Sequence, residues 1–156
     1  MTNQNGILPI IEEQTDLDLI IEIHSLCSNG IAFYQHLADE VDDYSLRRLF
    51  SHMAQLRHSI VSDLTVYIQL HGGGADEALP NSYASLYRAV LDDAKKAETS
   101  AFLEAVHKHE VNSLLLLKLA VKRVAQHELS IRLSNIAADV QVENDLLEET
   151  KKAFLN

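Results

Sequence analysis

Four long segments of the chain repeat apolar residues every three or four positions, and this period restricts the fold more than any other feature of the sequence. Residues at this spacing fall on one face of an α-helix. Each segment has about 25 residues, which corresponds to roughly 37 Å of helix at 1.5 Å per residue. No segment alternates β-branched and polar residues as a half-buried strand does, and the 156 residues include five glycines and two prolines. The sequence therefore predicts an all-α protein.

Capping and turn-forming residues mark the ends of the predicted helices. Thr15 and Asp18 have the spacing of a capping box, which predicts that the first helix begins there. The glycines at 72–74 end the second helix, because glycine adopts the left-handed cap conformation without steric cost. The predicted long helices cover residues 15–41, 45–71 and 99–124 and, after a turn at 125–130, a fourth segment that extends to about residue 153.

A shorter amphipathic segment lies between the second and third long helices. Pro80 and the polar residues after it open this segment, which covers residues 83–95. Long amphipathic helices that are joined mostly by short polar turns pack as an antiparallel bundle. We therefore predict one domain over residues 15–156, an antiparallel four-helix bundle with a short extra helix in the crossover between helices 2 and 3.

Residues 1–14 form a predicted N-terminal arm ahead of the bundle. Its segment Ile7–Ile11 is apolar, but Pro9 prevents a continuous helix there. The arm either packs on the bundle or contacts another subunit, and intrachain packing is the favoured interpretation.

Composition and charge argue against several functional classes. The formal net charge of −10 argues against a nucleic-acid backbone or an anionic membrane surface as the main partner. The single cysteine, Cys27, cannot form an intramolecular disulfide, and the polar residues 1–6 do not resemble a signal peptide. The longest strongly apolar run, Leu114–Leu117, is far too short to cross a bilayer. We expect a cytoplasmic protein.

Polar residues interrupt the apolar stripes of the predicted helices. Arg57, Glu110 and Asn144 fall on the core faces of the second, third and fourth long helices, and Asn29 lies beside the apolar stripe of the first. Because a buried charge is costly unless it is paired, we expect an Arg57–Glu110 salt bridge, with Asn29, Tyr34 or Asn144 completing its hydrogen bonds. In the alternative, Arg57 extends along apolar surface so that its head group reaches water.

Eight histidines and 23 acidic residues raise the question of a metal site. Di-iron bundles use one Glu from each of two helices and a Glu-x-x-His motif from each of the other two. Here Gln55 stands where the motif that leads to His58 requires Glu, the first helix has no carboxylate near Gly30, and Glu110 alone occupies the position of a bridging ligand. A bound iron or other divalent metal, held by His58 and Glu110, is therefore the less favoured alternative, and no cofactor is expected.

Other chemistry is weakly indicated by the sequence. Cys27 lies in a helical apolar stripe, which favours a buried, inert thiol. The glycine triplet follows a helix and lacks the Lys-Ser/Thr pair of a phosphate-binding loop. Most of the histidines, and the run Glu143–Lys152, are interpreted as solvated surface.

Several short motifs resemble a family of bacterial ferritin-like proteins, domain of unknown function 2383. The matching positions read, in chain order, Asn29-Gly30 before Phe33 and Tyr34, then Gln55 and Arg57, Gly72-Gly73, Glu110 and Asn144-Asp145. The resemblance covers about residues 16–153 and implies a ferritin-like four-helix fold, but no particular reaction. Asn29 replaces the Asp of the family and Asn144 replaces its His, so two groups that could bind a metal are missing, whereas Arg57 and Glu110 are retained.

Three functions are consistent with these features. The favoured one is a non-catalytic bundle with a structural or stress-associated role that acts through its surface, as a homodimer or with an unidentified protein partner, because the apolar residues Leu114–Leu117 lie on more than one helix face. The alternative is a ferritin-like metal protein or oxidase with a degenerate di-metal site in the bundle core. A third is a sensor or adaptor whose histidines titrate near neutral pH.

Overall fold

The computed structural model describes residues 15–72, 84–96 and 98–155, and these residues form an all-helical structure without a β-strand, which confirms the all-α prediction. The five helices are, in chain order, α1 (Asp16–Glu40), α2 (Tyr44–Leu70), α3 (Ala84–Lys96), α4 (Thr99–Arg123) and α5 (His127–Leu155). The predicted arm at residues 1–14 and the glycines at 73 and 74 lie outside the described residues. None of the helices in the described ranges has the length and apolar character that a bilayer span requires.

Side chains cap the first two helices as the sequence predicts. The Thr15 hydroxyl accepts from the backbone N–H of Asp18, and the Asp18 carboxylate accepts from the N–H of Thr15, which completes the capping box of α1. Asp43 accepts from the N–H of Leu46 at 3.0 Å at the start of α2. After the end of α2, Gly72 has a φ of +84°, a conformation that strains residues with a Cβ atom.

The turn before the last helix is shorter than the sequence predicts. The prediction places this turn at residues 125–130, but α5 begins at His127. The carboxylate of Asp16, in α1, accepts hydrogen bonds from the N–H groups of Ala125 and Gln126 at 2.8 and 3.0 Å. A carboxylate that is distant in sequence thus satisfies two amide groups of the turn just before α5, and a contact of this kind leaves no local signal in the sequence.

Two helical hairpins make up most of the described structure. α1 packs along α2 and α4 packs along α5, and a short connection joins the two helices of each hairpin. His24 of α1 contacts Thr65 of α2 at 2.9 Å, and Lys118 of α4 donates to Gln141 of α5. Contacts of α1 with α4 and of α2 with α5 join the hairpins, and α3 packs on α4 and α1.

The core consists of two clusters that follow one another along the helices. The aliphatic half, towards the α4–α5 turn, is built from buried Leu, Ile, Val and Ala side chains together with Cys27. The aromatic half, towards the α1–α2 turn, holds the five buried phenylalanine and tyrosine rings of the described residues: Phe33, Tyr34, Phe50, Tyr87 and Phe102. α3 packs on the aromatic half, to which it contributes Tyr87, Val90 and Leu91.

Candidate functional site

A cluster of buried polar side chains lies where the two halves of the core meet, and each of the five helices contributes to it. We name it the arginine cluster, and its members are Tyr34 of α1, Arg57 of α2, Tyr87 of α3, Glu110 of α4, and Glu143 and Asn144 of α5. Arg57 is 3% exposed and Glu110 is 0% exposed. Charges this deeply buried require partners, so the contacts among these residues determine what the cluster can do.

Arg57 lies at the centre of the cluster. Its Nη2 donates to Oε1 of Glu110 at 2.5 Å, and its Nη1 donates to Oε1 of Glu143 at 2.7 Å. Nη1 also donates to the backbone carbonyl of Met53, one turn earlier in α2, at 3.0 Å. The guanidinium carbon lies 4.9 Å from the centroid of the Tyr34 ring, which is a cation–π distance. The salt bridge that the sequence predicts between Arg57 and Glu110 is present, and Arg57 does not extend to water.

Glu110 uses both carboxylate oxygens and its backbone carbonyl. Oε1 accepts from Arg57, and Oε2 accepts from the hydroxyl of Tyr34. The backbone carbonyl accepts from Nδ2 of Asn144 at 3.2 Å. Burial raises the pKa of the Tyr34 hydroxyl well above its ordinary value, and the Glu110 charge raises it further. Tyr34 is therefore a neutral donor that holds Glu110 in place.

α3 reaches the cluster through Tyr87. Burial raises the pKa of Tyr87 well above its ordinary value, the Glu110 charge raises it further, and the Arg57 charge opposes the rise. A Cβ atom added at Gly30 would lie 2.9 Å from the Tyr87 hydroxyl and 3.1 Å from Cδ of Arg57. Because Gly30 has no side chain, the side chains of Tyr87 and Arg57 can both pack against the backbone of α1 at this position.

Asn29 does not join the cluster, contrary to the expectation from the sequence. Its side chain is half-buried, and Nδ2 donates to the carbonyl of Ser25 in the preceding turn of α1 at 2.8 Å. A local hydrogen bond of this kind is a common alternative for asparagine. Of the five predicted polar-core residues, the structure thus leaves out Asn29 and brings together Tyr34, Arg57, Glu110 and Asn144.

Glu143 is the cluster residue that the sequence interpretation misses. The run that begins at Glu143 is predicted to be a solvated helix face, but this side chain is 2% exposed, so the prediction is wrong for Glu143. The signal is present in the spacing, since position 143 is three residues after Val140 and four before Leu147, both buried in the same stripe. Positions 143 and 144 both face the core, whereas the sequence interpretation places Asn144 alone there.

The cluster contains one buried cation and two buried carboxyl groups. Burial raises the pKa of Glu143, and the Arg57 guanidinium opposes this rise. Burial by itself lowers the pKa of Arg57, but the carboxylates of Glu110 and Glu143 hold it well above its ordinary value. Oε2 of Glu143 has no hydrogen-bond partner among the described residues and lies 3.8 Å from Nε2 of the exposed His52. Glu143 is therefore a carboxyl group whose burial favours the neutral form.

Three further buried groups could in principle react, but their surroundings favour neutral forms. Burial raises the pKa of the Cys27 thiol to about 12, which leaves little thiolate at neutral pH. His24 and His109 are buried rather than on the surface, and burial lowers the pKa of both. The ring of His109 packs against Tyr87 with centroids 4.5 Å apart, and its Nε2 has no hydrogen-bond partner within the described ranges.

The residues of the cluster do not fit a metal ion. Di-metal centres of helical bundles lie between inward carboxylates, and here the guanidinium of Arg57 is bonded to both Glu110 and Glu143. His58, the second ligand of the alternative metal site, is exposed and lines a surface pocket with Gln35 of α1. The structure therefore does not bring His58 to Glu110. In the part of the chain that the structure describes, no three His, Cys, Asp or Glu side chains form a group that could hold a metal.

Comparisons with known proteins leave the cluster without an assigned role. No family model matches the chain, and no curated protein and no solved structure matches it. The geometry itself is that of a charge network in which a cation pairs with two carboxyl groups and is packed by two tyrosines. Such a network can position helices relative to one another.

Proposed function

We propose that the chain is a non-catalytic, ferritin-like, antiparallel four-helix bundle, with α1, α2, α4 and α5 as the four helices and α3 as the crossover helix. The two hairpins, with a short helix between them in the sequence, support this arrangement. The resemblance to domain of unknown function 2383 supports it as well, because Arg57 and Glu110, which the resemblance retains, form the centre of the arginine cluster.

The observation that carries the non-catalytic role is the position of Arg57 between two carboxyl groups. Arginine remains protonated in proteins and therefore cannot exchange a proton with a substrate. Both Glu110 and Glu143 direct an oxygen at the guanidinium, and the side chains are buried away from any dissolved reactant. The cluster is suited to fixing the arrangement of five helices rather than to catalysis.

Metal analysis tests this role. Protein that is purified without a histidine tag should contain iron, manganese and zinc only in substoichiometric amounts, because Arg57 takes the place of a cation between the carboxyl groups. Glu110→Gln and the control Glu149→Gln, an exposed residue of the same bundle, should show the same metal content. A stoichiometric metal that Glu110→Gln loses and Glu149→Gln retains would contradict the proposal.

We further propose that the protein acts through an apolar stripe on the outer face of α4. This leucine stripe consists of Val111, Leu115, Leu116 and Leu119, which are between 39% and 54% exposed. Their spacing places them on one side of the helix. Contiguous exposed apolar residues in a globular protein commonly mark an interaction surface.

The charges around the leucine stripe indicate the chemistry of its partner. The exposed cations Lys108, Lys118, Lys122 and Arg123 lie on the same helix, although the chain has a net charge of −10. Two copies that packed their stripes together would bring these α4 cations close to one another, which opposes association. Glu22 of α1 and Asp145 of α5 also lie beside the stripe and reduce this repulsion. The partner that fits is an amphipathic helix of another protein, with acidic residues beside its apolar face.

Peptide binding and sedimentation test the surface role. A synthetic amphipathic helix with leucines flanked by glutamates should bind in fluorescence anisotropy, and the same helix flanked by lysines should not. Leu115→Ser/Leu119→Ser should abolish binding, whereas Val66→Ser/Leu70→Ser, which changes two exposed apolar residues of α2, should not. Sedimentation of the unmodified chain should show a monomer. A dimer that Leu115→Ser/Leu119→Ser dissociates and Val66→Ser/Leu70→Ser does not would show that the stripe binds a second copy of the chain, which contradicts the proposal of a different protein partner.

A further inference from the structure

A cavity opens at the end of the aromatic half, where the α1–α2 turn, α3, the start of α4 and the end of α5 meet. Its volume is about 460 Å³, and sites for small organic ligands commonly have volumes of roughly 300–1,000 Å³. We name it the end cavity. Its apolar walls are Leu37, Val41, Leu46, Leu91, Phe102 and Phe154.

Three carboxylates line the end cavity beside these walls. Glu40 and Asp42 are exposed, and neither forms an ion pair with a described residue. Asp43 also lines the cavity, and its Oδ1 caps α2 by accepting from the N–H of Leu46. Glu40 and Asp42 are therefore not held in ion pairs by the basic residues that the structure describes.

The end of α1 adds to the negative potential at the end cavity. Carbonyl groups at the C-terminus of a helix carry partial negative charge, and the last turn of α1 contains no basic residue. Arg47 donates to the carbonyl of Val41 at 3.1 Å, so this cation interacts with the backbone of the turn. Apolar walls beside a negative edge complement a ligand that has an apolar body and one cationic end.

We infer that the end cavity binds a small organic cation, namely a primary amine on a hydrocarbon or aromatic body. The apolar body lies against Leu91 and Phe102, and the ammonium group lies beside Glu40 and Asp42. Alkyl amines of this kind are protonated at neutral pH, as the lysine side chain is. This site is separate from the leucine stripe on α4, so either proposal can fail while the other stands.

Three probes with the same eight-carbon chain test the inference: octylammonium, octanol and octanoate. In an NMR titration of the full chain, octylammonium should shift the amide signals of Val41, Leu91 and Phe102. It should bind about tenfold more tightly than octanol, because the carboxylates attract its charge, and octanoate should bind most weakly. Equal binding of the three probes, or shifts confined to other regions, would overturn the inference.

Matched variants separate the end cavity from the general acidity of the protein. Glu40→Gln/Asp42→Asn should weaken octylammonium binding about tenfold, since two nearby unit charges are removed. The control Glu128→Gln/Asp139→Asn makes the same changes at exposed positions of α5, and it should leave the affinity unchanged. Equal weakening by the two double variants would overturn the inference. So would unchanged binding by Leu91→Ser, which removes part of the apolar wall.

Discussion

The two halves of the core are built from the same long helices but are held together in different ways. The aliphatic half packs branched aliphatic side chains, whereas the aromatic half packs rings and meets the arginine cluster at its boundary. Burial of apolar area has no preferred direction, but a charge-assisted hydrogen bond requires particular atoms at particular distances. We infer that the aliphatic half mainly supplies cohesion and that the arginine cluster specifies how the helices are aligned.

Removal of the central cation should have the largest effect on stability. Arg57→Ala leaves Glu110 and Glu143 buried without their partner, and we expect the free energy of unfolding to fall by about 3–5 kcal/mol. Urea denaturation followed by circular dichroism measures this loss. The control is Arg132→Ala, because Arg132 is exposed and 4.0 Å from Asp63, and its loss should stay below about 1 kcal/mol. Equal losses in the two variants would contradict the claim that the buried ion pairs of the cluster contribute more to stability than an ion pair on the surface.

Substitutions that keep the side-chain size should reduce stability by different amounts in the aliphatic half and in the arginine cluster. Leu133 is fully buried in the aliphatic half, and Leu133→Ala should cost about 2–5 kcal/mol because it leaves a cavity. Leu133→Met keeps the volume and should cost less than about 1.5 kcal/mol. Arg57→Met also keeps a long side chain, but it should destabilise almost as much as Arg57→Ala. Wild-type stability of Arg57→Met would show that the cluster contributes through packing alone.

A methyl group added at Gly30 should disturb the aromatic half selectively. Gly30→Ala places a Cβ atom against the Tyr87 hydroxyl and Arg57, and overpacking of this kind costs about 1–3 kcal/mol. Tyr87→Phe removes the hydroxyl, so Gly30→Ala should be less destabilising in that background. A double-mutant cycle measures the difference. Additive effects of the two substitutions would contradict the proposed contact.

The smallest expected effect is a change in how stability depends on pH. The pKa of buried His109 is lowered from 6.5, so the unfolded chain binds protons more readily and stability falls as pH drops below about 6.5. The raised pKa of Glu143 acts in the opposite sense, since it lowers stability as pH rises above 4.5. His109→Leu should therefore reduce the acid-induced loss between about pH 7 and 5. Part of the loss should persist in this variant, because burial also lowers the pKa of His24. An unchanged slope in His109→Leu would refute the assignment.

Much of the fold could be predicted because its signals are local. The apolar period and the Thr15 capping box depend on residues that are neighbours in the sequence. The Arg57–Glu110 pair could be predicted as well, because each interrupts an apolar stripe and has an opposite charge as its natural partner. The prediction of this pair requires only the rule that buried charges are paired.

The remaining features depend on contacts between distant parts of the chain. Position 143 has the spacing of a core residue, but its acidic type and its acidic neighbours favour a solvated face, and only the contact with Arg57 explains its burial. Asn29 and Asn144 look alike in sequence, yet one bonds its own helix and the other bonds Glu110. The neighbouring sequence does not distinguish the two asparagines, because the packing of the helices determines which hydrogen-bond partner each side chain reaches.

The hydrogen bonds that the Asp16 carboxylate accepts from the α4–α5 turn should affect the time course of folding. They join residues that are 109 and 110 positions apart, whereas each hairpin forms from helices that are adjacent in the sequence. Contacts of large sequence separation carry a greater loop-closure cost, and they tend to form after local ones. We expect Asp16→Ala to accelerate unfolding in stopped-flow measurements and to leave the refolding rate nearly unchanged. In that case, a residue in the first turn of the first helix sets how long the folded state lasts and has little influence on how quickly it forms.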